Sequence, residues 1–360
     1  METASVETAL DYLQQAKQAK QQQQLKESEV LYYQALKLDP RNVEAYQALG
    51  ALYFEQGNMN KAMDSYIQTV TIDNNQPFAH FRLGRIAQLQ KRLDDATGSY
   101  AYAIQLDEQD FRPYQHLGEI QFAQQNLAAA EINFKKAIEL QSPLPWVRFR
   151  TGQIAQQQQR YEEALGYFKQ AIALNPKNPS FYVGIGNLYF TQKEWSKAAE
   201  AYKIATAINS SLQNVQFRLG RIAQMQKRWE DADKAFNQAI VLKPDDFRPY
   251  QFLAEINFAQ KAFAPAKSNY QKAIELGSKA PWVRFKLGRI AQQENDVSKA
   301  IEYFEKAIAL NAQNPQFHYY LGAAHQAQGD SAQASSSYHK ALELNPHLKS
   351  AQNALARMQA

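Results

Sequence analysis

The sequence predicts an all-α solenoid of stacked helical hairpins. Three observations carry that reading: a period of 34 residues, one aromatic ring per period, and apolar positions spaced three and four apart within each period. Ten units follow one another without insertion or deletion from Ala9 to Leu348. They are residues 9–42, 43–76, 77–110, 111–144, 145–178, 179–212, 213–246, 247–280, 281–314 and 315–348. A chain of 360 residues would ordinarily form two or three domains. The unbroken phase predicts one array without separate domains.

Each unit holds two apolar-periodic segments, such as Gln216 to Gln226 and Glu230 to Val241, which read as the two helices of a hairpin. Position 24 of the unit is a ring throughout, from Tyr32, Tyr66 and Tyr100 to Phe304 and Tyr338. Position 20 is alanine from Ala62 to Ala334, with Ser28 in the first unit; position 27 is alanine except at Thr69. Position 8 is glycine in all units but two, which carry Ala16 and Ala254. A mid-helix glycine costs about 1 kcal/mol against alanine and is tolerable where two backbones must approach. The glycine and first alanine columns are therefore expected to cross, Gly50 against Ala62 and Gly220 against Ala232, with the ring filling the space beside them. Asn-Pro, Lys-Pro and Asp-Pro steps at Pro40, Pro176, Pro244 and Pro346 are expected to stop the second helix. Residues 1–8 form an extension, and 349–360 form a capping helix with Leu348, Ala351, Leu355 and Met358 on one face.

Composition narrows the function. Without cysteine there is no disulfide framework, thiolate nucleophile or Cys-ligated metal. No apolar run is long enough to span a bilayer, and Met1 to Thr8 lacks the pattern of a secretory signal, so a cytoplasmic protein is expected, with no membrane insertion. A net charge of +5, from 40 basic and 35 acidic residues, permits anionic partners without demanding nucleic acid. The glutamine runs at 14–24 and 156–159 lie in helical register and read as solvated helix formers.

The register resembles the tetratricopeptide repeat. The second unit reads Tyr46-x2-Leu49-Gly50-x2-Tyr53 with Ala62-x3-Tyr66; the seventh has Leu219-Gly220, Ala232-x3-Phe236 and Pro244. The likeness covers residues 9–348 and is weakest in the first unit, where Gln15 and Ala16 replace the Leu-Gly pair, as suits an end cap. It implies a right-handed superhelix, the TPR solenoid of bacterial-type multi-repeat proteins. Within it, residues 43–178 and 179–314 repeat one another at a spacing of 136. Phe81 to Gln88 returns as Phe217 to Gln224, and Pro145-Trp146-Val147-Arg148-Phe149 returns as residues 281–285 with the same Arg at 284. A recent duplication explains this, and so does a binding surface used twice.

The resemblance also implies that first helices line the concave face, with positions 2, 5, 9, 12 and 13 directed into the groove. On this chain those positions give Phe78, Phe81, Arg85, Arg112, Trp146, Phe149, Gln153, Asn187, Phe217, Arg221, Arg248, Trp282, Phe285 and Arg289. Arg85, Arg221 and Arg289 are the expected anion contacts, the phenylalanines an apolar floor, and Trp146 and Trp282 the anchors. Phe122, Phe190 and Phe258 at position 12 of the even units join them. The structural alternative is that the rings pack between helices and that Arg85 with Glu119, or Arg221 with Glu255, bridges adjacent repeats. No unit has the Lys at position 5 with Asn at position 9 by which chaperone-binding members clamp a terminal carboxylate, so a chaperone tail is not the expected partner. Arg148 and Arg284 replace an aromatic at position 4 and are further candidates for ligand contact.

The expected function is a noncatalytic scaffold or adaptor for a protein or peptide segment, extended and acidic or aromatic-containing, with no cofactor and no metal. Phosphate-binding, metalloprotease and nucleophile-elbow motifs are missing. His318 and His325 share a helix face and read as core histidines rather than metal ligands. Single-stranded nucleic acid has the rings it needs in the groove, but Glu119 and Glu255 stand where phosphates would run. The alternative from another class is a targeting or regulatory subunit of a separate enzyme, such as a glycosyltransferase or methyltransferase.

Overall fold

The computed structural model describes residues 8–359, so the expected N-terminal extension, apart from Thr8, and Ala360 of the expected cap lie outside the described residues. Among the described residues there are 21 helices and no strand. First helices begin at the first position of each unit: Ala9–Gln21 (α1), Val43–Glu55 (α3), Pro77–Leu89 (α5), Phe111–Ala123 (α7), Pro145–Gln157 (α9), Pro179–Thr191 (α11), Gln213–Met225 (α13), Phe247–Ala259 (α15), Pro281–Gln293 (α17) and Pro315–Gln328 (α19). Second helices are Leu25–Leu38 (α2), Met59–Ile72 (α4), Leu93–Leu106 (α6), Leu127–Glu139 (α8), Tyr161–Leu174 (α10), Trp195–Ile208 (α12), Trp229–Leu242 (α14), Phe263–Glu275 (α16), Val297–Leu310 (α18) and Ser331–Leu344 (α20), with Lys349–Gln359 (α21) after them. Consecutive pairs pack as hairpins in an all-α solenoid. The chain divides after Leu188 into two compact units.

Helix starts follow local chemistry. The side chains of Asn42, Asp110, Asp246 and Asn314 accept from backbone N–H groups of the first turn, and Pro77, Pro145, Pro281 and Pro315 occupy its first position. The turn inside each hairpin contains one residue in the left-handed region, always at position 15. Only Gly57 and Gly329 are glycine; Gln23, Lys91, Gln125, Gln159, Lys193, Lys227, Lys261 and Asn295 adopt it with a side chain, at roughly 1 kcal/mol each. Helices α2, α10, α14 and α20 end at Leu38, Leu174, Leu242 and Leu344, two residues before the prolines expected to stop them.

The position-24 rings are the floor of the core. Tyr32, Tyr66, Tyr100, Phe134, Phe168, Tyr202, Phe236, Tyr270, Phe304 and Tyr338 are all buried, together with the alanine columns. At Gly50, Gly84, Gly118, Gly152, Gly220, Gly288 and Gly322 the nearest atoms belong to the position-24 ring of the same unit, the ring expected beside the crossing. A Cβ at Gly84 would lie 2.7 Å from Tyr100, and at Gly220 2.6 Å from Phe236. The alanine main chain comes close as well at Gly152, where the carbonyl oxygen of Ala164 is 3.2 Å away. The missing Cβ thus lets the ring of the second helix lie on the backbone of the first.

Position 4 has a role that explains the arginine substitutions. Arg148 Nη1 donates to the carbonyl of Ser142 (2.6 Å) and Arg284 Nη1 to that of Ser278 (3.1 Å), each six residues back. Tyr250 makes the same bond to Pro244, and His80 and His318 place Nε2 against the carbonyls of Asn74 and Ala312. Arg148 and Arg284 therefore fasten the loop that precedes their helix. Of the two paired histidines, His318 is satisfied in this way, whereas Nδ1 of His325 is buried without a partner.

Within each compact unit the first helices of neighbouring hairpins touch, α5 with α7 and α13 with α15, so their side is the crowded side of the stack.

Candidate functional site

In the unit ending at Leu188, four successive first-helix segments converge on a cleft of about 430 Å3. Arg85 and Gln88 come from α5, His116 and Glu119 from α7, Trp146, Phe149 and Arg150 from α9, and Asn178, Ser180 and Phe181 from the start of α11. The cleft thus gathers Arg85, Trp146 and Phe149 of the residues expected from the sequence. A volume of this size suits a side chain or small ligand.

Its polar wall is tightly connected. Arg85 Nη1 donates to Gln88 Oε1 (3.0 Å) and to Nδ1 of His116 (3.1 Å). A guanidinium can only donate, so His116 accepts at Nδ1 and carries any proton of its neutral form on Nε2. Burial first, and the Arg85 charge second, hold that imidazole down at about 3. The Arg85 to Glu119 bridge considered from the sequence is replaced by another: Glu119 Oε1 accepts from Arg150 Nη2 at 3.2 Å, and Arg150 Nη1 also donates to Gln153. The second carboxylate oxygen, Glu119 Oε2, is buried with no partner.

The remaining expected residues in this unit pack mainly against the chain itself. Phe81 is buried, and its ring lies 6.0 Å from Tyr100 and 5.8 Å from His116. Arg112 is paired with Asp110 at 2.8 Å and lies over Phe78 and Phe81. Asn187 is half-buried. Phe149 sits between Phe168 (5.4 Å) and Phe181 (5.1 Å).

In the unit from Tyr189 onward the same register is filled by rings. Arg221 lies 3.7 Å from the Phe252 centroid and Arg289 4.2 Å from that of Tyr320; the Nε of each is buried and unpaired, and burial lowers the pKa of Arg221. The Arg221 to Glu255 bridge is likewise absent as a direct contact: Glu255 accepts instead from Gln224. Arg248 is held by Asp246 and Asn214 and covers Phe217. Trp282 meets Tyr270 edge-on, and Phe285 stacks on Phe317 at 5.0 Å.

Position 6 of the repeat, which the family pattern leaves out of the groove, proves to organise this face. In odd units from the third to the ninth it is basic, and each cation lies on the position-12 ring of the preceding unit: Arg82 on Phe54 (4.8 Å), Arg150 on Phe122 (4.7 Å), Arg218 on Phe190 (5.1 Å) and Lys286 on Phe258 (4.2 Å). The position-12 phenylalanines are thus covered from within the chain. In the fourth, eighth and tenth units position 6 is His116, Phe252 and Tyr320, beside the position-9 arginine of the preceding unit; in the second it is Ala48, after Lys17. Where it is Gly184, position 9 is Gln153 instead of arginine. Arginine and ring occur together or not at all, a signal readable in the sequence.

Three family models match. The one described as Cilia and flagella-associated protein 70 C-terminal domain covers residues 142–359, a TPR repeat model covers 17–57, and a tetratricopeptide repeat model covers 43–76 and 111–143. The chain belongs to the tetratricopeptide repeat family. No curated protein gives a significant match. Among solved structures, the C-terminal part of a TPR repeat-containing protein from Cytophaga hutchinsonii is 18% identical with TM-score 0.58, covering 68% of this chain and 98% of that one. PilF of Pseudomonas aeruginosa is 22% identical with TM-score 0.50, covering 60% and 100%. YrrB, described as a TPR protein with an unusual peptide-binding site, is 20% identical with TM-score 0.48, covering 52% and 97%. The first two of these likenesses show the fold alone, an all-α solenoid of helical hairpins. Among the described residues no helix is long and apolar enough to cross a membrane, and no group of three metal-binding side chains comes together.

Proposed function

We propose that the protein is a noncatalytic adaptor whose first-helix face, in the unit ending at Leu188, holds an extended acidic segment carrying aromatic residues. The observation that carries this is the cleft between α5, α7, α9 and α11, where Trp146 and Phe149 stand beside two guanidinium groups and one carboxylate. Arg85 and Arg150 against Glu119 leave a positive balance. A charged hydrogen bond contributes about 1.5–3 kcal/mol, and aromatic and Arg anchors dominate such interfaces. Arg112 and Arg248, spoken for by their own aspartates, contribute to shape rather than to anion capture.

The test compares two labelled peptides on the whole chain, Asp-Glu-Tyr-Glu-Asp and Lys-Arg-Tyr-Arg-Lys, by fluorescence anisotropy. The acidic peptide is expected to bind, more weakly as salt rises, and Arg150→Gln is expected to weaken it several-fold. Tighter binding of the basic peptide, or indifference to Arg150→Gln, contradicts the reading.

A further inference from the structure

The duplicated copies of the cleft differ at one hydroxyl, and the difference propagates. In the first copy Tyr100 donates to Gln88 Oε1 at 2.8 Å, and the same oxygen accepts from Arg85. Two donors hold the Gln88 oxygen there and so fix how its amide is turned, and Glu119 Oε2 is left without a partner. In the second copy the ring is Phe236, with no hydroxyl, and Gln224 Nε2 donates to Glu255 Oε2 at 3.3 Å. A buried acceptor left unpaired costs about 1–3 kcal/mol, and it stands here in a residue that lines an open cleft.

An independent difference concerns a ring. In the hairpin that follows the second copy, Tyr320 lies 5.2 Å from Phe285 and 6.0 Å from Phe304. The equivalent residue in the hairpin that follows the first copy is Gly184, where the ring of Phe149 lies close: a Cβ there would stand only 2.8 Å from Phe149 Cε2. The matching receptor rings, Phe149 and Phe168, remain 5.4 Å apart. The first copy therefore lacks the aromatic side chain that the following hairpin supplies to the second, and it also holds an acceptor that the second has satisfied.

We infer that the first copy takes a tyrosine side chain of the partner segment, its ring against Phe149 and Trp146 and its hydroxyl donating to the Glu119 carboxylate. This rests on the adaptor reading above. The Glu119 side chain is 33% exposed, and its Arg150-bound oxygen keeps lone-pair capacity for a second donor from the cleft. The positive balance of Arg85 and Arg150 selects an acidic frame around that tyrosine, and at the second copy Tyr320 and Gln224 already fill the equivalent roles.

Three capped peptides test it by calorimetry on the full chain: Asp-Gly-Xaa-Gly-Asp with Xaa tyrosine, phenylalanine or alanine. The tyrosine peptide is expected to bind roughly 5-fold more tightly than the phenylalanine peptide, and the latter more tightly than the alanine peptide. In Glu119→Gln the gap between tyrosine and phenylalanine should close. It should also close in Tyr100→Phe, which removes one of the two bonds orienting the Gln88 amide and lets its Nε2 turn to Glu119 as that of Gln224 turns to Glu255; circular dichroism checks that each variant is folded. A gap that survives both variants overturns the inference. Equal binding of all three peptides overturns it and leaves the adaptor reading standing, whereas no binding of any of them overturns both.

Discussion

Two copies of one four-repeat segment have settled the same backbone register in opposite ways. In the compact unit from Tyr189 onward, rings at Phe252 and at Tyr320, in the hairpin after the second copy, lie against Arg221 and Arg289, and Gln224 satisfies Glu255. In the compact unit ending at Leu188, the corresponding places hold His116 and, in the hairpin after the first copy, Gly184; Glu119 keeps an unpaired oxygen, and a cleft stands beside Trp146 and Phe149. One face is packed with its own rings; the other carries a cleft. The lesson is that a guanidinium on an inner helix face is not by itself an anion site, because a ring supplied by the next hairpin can claim it first.

The largest expected effect breaks the packed copy. Tyr320→Ala removes the ring beneath Arg289 and against Phe285, and should destabilise by about 3 kcal/mol. At the equivalent site, Gly184→Ala instead pushes a Cβ into Phe149 and should cost about 1–3 kcal/mol by crowding. Urea denaturation of both variants compares loss of a ring with insertion of a methyl group. Similar small losses of a few tenths of a kcal/mol would erase the distinction between the copies.

A second effect sharpens it through pH. His116 is held at about 3 in the folded chain and returns toward 6.5 when unfolded. Its folded value is the lower one, so between these limits the unfolded chain binds more protons. The associated stability is complete above about pH 6.5 and is lost as pH falls toward 3, by about 2 kcal/mol at pH 5. His80, also lowered by burial, acts in the same direction. Phe252 cannot titrate, so His116→Phe should remove most of this acid sensitivity in denaturation midpoints measured at pH 7.5 and pH 5.

Much of this was legible in the sequence, and what was not has identifiable causes. The phase of 34 placed the start of every first helix, because a ring at position 24 and small residues at positions 8, 20 and 27 tolerate no slippage. Arg85, Trp146 and Phe149 were recoverable as neighbours from the groove positions. The position-8 glycines pointed to close packing, and the coordinates add that the ring of the same unit is the nearest neighbour, with the alanine main chain close as well at Gly152 and Gly322. His116, Arg150 and Tyr320 were missed because all three are at position 6, outside the inherited groove pattern. The signal existed in the alternation of Arg82, Arg150, Arg218 and Lys286 with rings in the even units. Matching the copies for what recurs drew attention to Arg221 and Trp282; the open site is marked by what fails to recur, at His116, Gly184 and Tyr100.

The contrast between an open and a filled copy can be read at the two tryptophans. With 5-fluorotryptophan incorporated and each resonance assigned by substitution, fluorine NMR follows Trp146 and Trp282 separately during titration with Asp-Gly-Tyr-Gly-Asp. The Trp146 signal should move to saturation while that of Trp282 stays in place. Equal movement of both signals, or movement of Trp282 alone, would contradict the account.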